Sequence, residues 1–99
     1  MSPSDHRDGR KTEHHPDSRR FTLALPEGEA RLEYRELADG RIDMFRTYVP
    51  PAARGRGIAA ALVRRALAWA REHHARVVPT CSFVRRYVTE HPDEADLAD

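Results

Sequence analysis

Apolar and polar positions alternate three times in the first half of the chain and then switch to a helical spacing. Phe21, Leu23 and Leu25 alternate with Thr22 and Ala24, which predicts a short strand over 21–25. Pro26-Glu27-Gly28-Glu29 predicts a turn. Ala30, Leu32 and Tyr34 alternate with Arg31, Glu33 and Arg35, giving a second, half-exposed strand, and Asp39-Gly40 is a hairpin signal. A third strand follows over about 41–49. Its Ile42 and Met44 are assigned to one face and Phe45, Thr47 and Val49 to the other, so it is expected to be central and covered on both sides. Pro50 keeps Val49 extended and removes a ladder donor, so pairing should fail there and open a slot in the sheet.

Over 58–74 the apolar positions Ile58, Leu62, Ala66, Trp69, Ala70 and His73, widened by Val63 and Leu67, recur at helical spacing, with Arg64, Arg65, Arg71 and Glu72 on other faces. Residues 76–80 form a fourth, short strand. Thr80 is the expected N-cap of a last helix carrying Phe83, Val84, Tyr87 and Val88, which Pro92 ends. The order is β-β-β-α-β-α. This is a small α+β domain over 19–92: a mixed sheet, one main helix and a shorter C-terminal helix, the crossover helix joining parallel strands. Residues 1–18 hold almost nothing apolar and are expected to be a disordered tail, and 93–99 an acidic one.

The totals narrow the class. Ninety-nine residues allow one small domain. A formal net charge of +1 gives no polyanion signal, so nucleic acid is not the expected partner. One cysteine excludes an internal disulfide and suits a reducing compartment. No stretch reads as a signal peptide or a bilayer span, so a cytoplasmic protein with no membrane partner is expected. His14-His15 and His73-His74 have no second cysteine or ligand-spaced carboxylate beside them, so no metal site is expected. Trp69 reads as core, and Arg64, Arg65, Arg71, Arg85 and Arg86 as a solvated face.

The candidate chemistry lies where the third strand stops. Thr47-Tyr48-Val49-Pro50-Pro51 leads into Arg54-Gly55-Arg56-Gly57-Ile58-Ala59 and then the main helix, whose first turn has no acidic or bulky polar side chain. Free N–H groups at such a helix start, together with the helix dipole, bind phosphate, and glycines let an anion come close to the backbone. Three patterns compete. The Walker pattern fails because Gly57 is followed by Ile58-Ala59 and not Lys-Ser/Thr. The dinucleotide pattern G-x-G-x-x-G/A fits Gly55, Gly57 and Ala60, but 50–54 separate the loop from its strand and no acidic residue ends the next strand. The third, Q/R-x-x-G-x-G/A, fits Arg54, Gly57 and Ala59. With the preceding Thr-x-Val-Pro-Pro and the later Val-Pro-Thr-Cys-Ser, the chain over about 32–92 resembles the GNAT superfamily of N-acyltransferases, in its small single-domain YjdJ-type branch.

That resemblance implies acyl-CoA, expected to be acetyl-CoA, as the acyl-donor cosubstrate. Its pyrophosphate would lie on Arg54, Gly55, Arg56, Gly57, Ile58 and Ala59, and its pantetheine arm along Thr47, Tyr48 and Val49. A backbone N–H near Val49 would polarise the thioester carbonyl. It also implies a tyrosine on the last helix that protonates the departing sulfur. Tyr87 takes that place, although His91-Pro92 stands four positions later where many members have Gly-Phe. Its plainer reading is an aromatic packed beside Val84 and Val88. Cys81, at the start of that helix, is a candidate acyl acceptor or simply a small residue at a strand–helix junction. The acceptor amine stays unnamed; an open acceptor side suits a protruding amine, as on a peptide or protein. Two functions remain: an acyl-CoA-dependent N-acyltransferase, or a non-catalytic acyl-CoA-binding or interaction module.

Overall fold

The computed structural model describes residues 12–98. Five strands form one sheet in the order β1-β2-β3-β4-β5. They are β1 (Thr12–His15), β2 (Arg20–Leu25), β3 (Gly28–Glu36), β4 (Ile42–Tyr48) and β5 (Val77–Val78). The first four are antiparallel, and β5 lies parallel to β4 after the crossover helix α1 (Ile58–Glu72). A second helix, α2 (Ser82–Glu90), follows β5. The α+β class, the mixed sheet and the two helices agree with the sequence pattern.

The core lies on one face of this sheet. Phe21, Leu23, Ala30, Leu32, Tyr34 and Met44 are buried there against Leu62, Val63, Ala66 and Leu67 of α1 and Val84, Tyr87 and Val88 of α2. Full burial of side chains of this size is worth about 1.5–3 kcal/mol each. The sheet's other face carries Arg31, Glu33, Arg35 and Arg46, with Arg31 over the Tyr48 ring and Arg35 over the Phe45 ring.

This corrects the expectation that β4 is apolar on both faces. Tyr34 pairs with Met44 but Glu33 with Arg46, so Phe45 is an extra, unpaired residue. Such a bulge resets the alternation. Thr47 pairs with Leu32 and therefore shares the core face with Met44, while Phe45 and Arg46 both sit on the Arg35 and Glu33 side. The strand presents one apolar face throughout.

The ends differ as well. Residues 1–18 were expected to be a tail, yet Thr12–His15 forms an edge strand paired with β2; 1–11 lie outside the described residues. The His14 ring stacks on Phe21 with centroids 4.1 Å apart, and its Nε2 is 2.6 Å from the Tyr34 hydroxyl. Trp69 meets the same cluster edge-on. Arg19, in the left-handed region at φ 55°, turns the chain into β2, and Tyr34 N–H donates to its carbonyl at 3.1 Å. The expected acidic tail is also packed. Pro92–Leu97 forms a 3₁₀ turn, Leu97 is buried, Arg71 clasps Asp96 at 3.0 and 3.1 Å, and Ala98 bridges to Val77. Finally, Cys81 and not Thr80 is the N-cap of α2; the Thr80 hydroxyl donates to Asp43 instead.

Burial, with Arg65 nearby, holds the His14 imidazole below its ordinary value of 6.5. The folded state therefore favours the neutral ring, and the unfolded chain takes up the proton first. Stability from this site should be complete above pH 6.5 and be lost as pH falls below it. Melting temperatures between pH 7.5 and 5.5 should show a smaller acid loss in His14→Phe than in the wild type; equal losses would contradict the assignment.

Candidate functional site

β4 ends at Tyr48 because Pro50 and Pro51 have no N–H to offer a neighbour. Val49 and Pro50 are buried, and Pro51–Ala53 makes a single 3₁₀ turn. The ladder can no longer serve the Val49 carbonyl, and Arg54 Nε donates to it at 2.9 Å. Arg56 is tied down too, with Nε 3.4 Å from the Ala53 carbonyl and a terminal nitrogen 2.6 Å from Glu27 Oε2. The loop is thus a fixed shape.

Gly57 is the N-cap of α1 at φ 77°, a left-handed conformation that disfavours any side chain with a Cβ. The first helical bond is Ala61 N–H to the Gly57 carbonyl at 3.1 Å. The N–H groups of Ile58, Ala59 and Ala60 therefore have no partner within the helix, no side chain caps them, and no acidic residue occupies the first turn. The dipole adds a partial positive charge at the same point.

These groups open into a groove of about 490 Å³. Thr47, Tyr48 and Val49 form one wall, Gly55, Gly57 and the start of α1 the end, and Phe83 and Arg86 of α2 the other wall. Of the residues expected along the pantetheine arm, Thr47, Tyr48 and Val49 line it, and of those expected at the pyrophosphate, Arg54, Gly55, Gly57, Ile58 and Ala59; Arg56 does not, because Glu27 holds it. A Cβ built on Gly55 or Gly57 would meet nothing within 4 Å, so the space beside this backbone is open to a ligand. Backbone donors, a cation with free terminal nitrogens and a largely apolar slot together fit a phosphorylated, extended molecule such as acyl-CoA.

Cys81 lies beside the slot. It is half-buried, its N–H donates to the Met44 carbonyl at 3.0 Å, and its Sγ is 3.4 Å from the Thr47 hydroxyl. Among the described residues no histidine bonds to it, so no imidazole is placed to act as a base on the thiol. His73 contacts the Trp69 carbonyl, His91 stacks on Tyr87, and His74 ends α1. Tyr87 does not line the groove. Its hydroxyl donates to Glu94 Oε2 at 3.1 Å, and burial, with Glu94 beside it, pushes the phenol above its ordinary value against the pull of Arg64. The structure therefore joins Cys81 to Thr47 but places Tyr87 on the side of α2 that faces α1. Among the described residues no cluster of His, Cys, Asp and Glu is arranged to hold a metal ion, and no helix is long and apolar enough to cross a membrane.

A family model described as GCN5-related N-acetyl-transferase matches residues 20–97, most of the chain. The chain belongs to the GNAT family. Within it, the chain is 36% identical over 84 residues to protein NATD1 of Gallus gallus, covering 83% of this chain and 76% of that protein. NATD1 of Homo sapiens gives the same identity over 74% of its length, and NATD1 of Danio rerio 31%. The fold matches the NMR structure of a GCN5-like protein from Staphylococcus aureus with a TM-score of 0.71, over 90% of this chain and 87% of that one, at 21% identity. GNAT membership supports an N-acetyltransferase type of function.

Two groove residues, Phe83 and Arg86, escape the sequence pattern. Their signal is spacing. They are three apart on α2, off the stripe formed by Val84, Tyr87 and Val88, and that offset aims them at the groove instead of the core.

Proposed function

We propose that the chain is an acyl-CoA-dependent N-acyltransferase that uses acetyl-CoA and an amine acceptor. The observation that carries this is the uncapped, acid-free start of α1 opening into the same groove as the broken end of β4. The pyrophosphate is read onto the N–H groups of 57–60 and the terminal nitrogens of Arg54. The pantetheine arm is read along Thr47, Tyr48 and Val49, where the prolines leave β4 without a neighbour. This puts the thioester beside Thr47 and Cys81.

The amine nitrogen attacks the thioester carbonyl, the C–S bond breaks with its electron pair on sulfur, the amine nitrogen gives its proton to solvent and the coenzyme A thiolate takes one from solvent; the products are an amide and free coenzyme A thiol. A backbone N–H at the end of β4 facing the developing oxyanion supplies about 2.7–4 kcal/mol. Direct attack is favoured over transfer through Cys81, whose only side-chain partner among the described residues is a hydroxyl that cannot act as a base at neutral pH. Tyr87 is a poor choice for the acid, since Glu94 already takes its proton donor. Among the described residues no carboxylate or imidazole lines the groove, so a non-catalytic acyl-CoA-binding module is the second reading.

Alkylation and mass spectrometry test the placement. Iodoacetamide labelling of Cys81 should slow several-fold with saturating acetyl-CoA, and intact mass without amine should show no acetyl adduct. Unchanged labelling would remove the thioester from this end of the groove, and a stable adduct on Cys81 would replace direct attack with a two-step route. Release of coenzyme A across a panel of amines separates the enzyme from the binding module.

A further inference from the structure

The groove has a cation that the anion loop does not explain. Arg86 stands on the α2 wall, across from Gly55 and Gly57, with its guanidinium 5.5 Å from the Phe83 ring centroid. It is exposed, and it forms no hydrogen bond or ion pair with the described residues. That sets it apart from its counterparts. Arg56 is neutralised by Glu27, and Arg54 spends its Nε on the Val49 carbonyl. Arg71, elsewhere on α1, is clasped by Asp96. A guanidinium laid along an aromatic ring is held in a narrow set of positions without losing its charge or its outward N–H donors. On the wall of a groove this is the arrangement that receives an anion.

A phosphorylated ligand anchored at the loop has its pyrophosphate accounted for by the N–H groups of 57–60 and by Arg54. Coenzyme A carries a second, separate anion, the phosphate monoester on its ribose. At neutral pH that group bears between one and two negative charges and three acceptor oxygens, which suits a guanidinium fork. Resting on the acyl-CoA reading above, we propose that Arg86 binds the ribose phosphate of coenzyme A, so that this chain selects coenzyme A over dephospho-coenzyme A. The loop fixes the middle of the ligand, the end of β4 its thioester end and Arg86 its nucleotide end. Three points on two helices and a strand set the reach of the acyl group along the groove. Arg86 is a specificity residue in this arrangement; it does not touch the reacting atoms.

Titration calorimetry with coenzyme A and with dephospho-coenzyme A, on the full chain, tests this. The wild type should bind coenzyme A roughly tenfold more tightly than dephospho-coenzyme A, the size expected of one solvent-accessible charge-assisted pair. Arg86→Gln should erase most of that ratio by weakening coenzyme A and leaving dephospho-coenzyme A unchanged. Arg86→Lys should keep part of it. Arg85→Gln, an equal loss of charge one residue away and off the groove, should keep all of it. Both sites are exposed, so the fold should survive the substitutions. The preference should also fall as salt rises from 0.05 to about 0.5 M. An equal loss for both ligands in Arg86→Gln would mean that the residue serves the pyrophosphate, and would overturn the proposal. An unchanged ratio in Arg86→Gln, or a ratio erased equally by Arg85→Gln, would do the same. Absence of binding by the wild type to either ligand would instead overturn the acyl-CoA reading, and this proposal with it.

Discussion

Gly57→Val should weaken binding of coenzyme A roughly 100-fold, the equivalent of losing one or two hydrogen bonds to a charged group. Gly57 sits at φ 77° where a Cβ would point into open space, and Gly57 itself lines the groove. Valine therefore does two things. Its methyl groups occupy the volume through which an anion approaches the N–H groups of Ile58, Ala59 and Ala60. Its branched Cβ also strains the left-handed backbone by about 1–2 kcal/mol. The second effect lowers stability, and for a domain of this size each kcal/mol is worth about 4–8 °C in melting temperature. Binding must then be measured well below the variant's own melting temperature. Gly57→Ala helps to separate the two contributions, since it carries the part of the backbone strain that any Cβ imposes, with much less bulk. Valine should cost more affinity than alanine when each is measured well below its own melting temperature. Equal losses would show that a distorted helix start, and not a blocked approach, is responsible. Full affinity in folded Gly57→Val would remove the anion site from this loop. Arg54→Ala should cost about tenfold, because the backbone donors remain, although the Val49 carbonyl loses its partner.

Much of this molecule is legible in the order of its residues, for identifiable reasons. The strands over 20–25 and 28–36 and helix α1 are long, strongly periodic segments that pack on a single core face, so local pattern and global burial agree. The loop is legible because glycine at positive φ, two prolines and an acid-free helix start act locally. What misleads is whatever acts at a distance. One bulge residue, Phe45, shifts the alternation of β4 by one and makes a one-faced strand read as two-faced. Leu97 is the one large apolar residue in an acidic stretch, and it is buried because the turn Pro92–Leu97 packs against α1 and α2, which the local pattern does not reveal. The resemblance gives Tyr87 its acid role through its position on the last helix. Its spacing from Val84 already places it on the buried stripe, where Glu94 meets its hydroxyl. β1 is hidden in the composition because His14 and His15 count as polar, yet an uncharged imidazole packs as an aromatic ring.

That last point leads to the largest expected effect on stability. A chain beginning at Arg20 should melt roughly 15 °C below the full chain, which corresponds to about 3 kcal/mol for a domain of this size. Removing β1 uncovers Phe21 on the side where His14 stacks and strips the edge bonds of β2. It also leaves the Tyr34 hydroxyl without His14 and the Thr22 hydroxyl without His15, which now lies 2.8 Å from it. Partial exposure of one large aromatic and two broken side-chain bonds reach that total at about 1–1.5 kcal/mol each. Set against the few to about 13 kcal/mol that hold a domain of this length together, such a loss is severe. The effect should be confined to stability. β1 and β4 are separated in the sheet by β2 and β3, and the groove draws on β4, the loop that follows it, α1 and α2. Below its lowered melting temperature the shortened chain should bind coenzyme A with unchanged affinity. A melting temperature within 3 °C of the full chain, in thermal unfolding followed by circular dichroism, would return these residues to the status of a dispensable tail. Retained stability with lost affinity would mean that the two edges of the sheet are coupled in a way this packing does not provide.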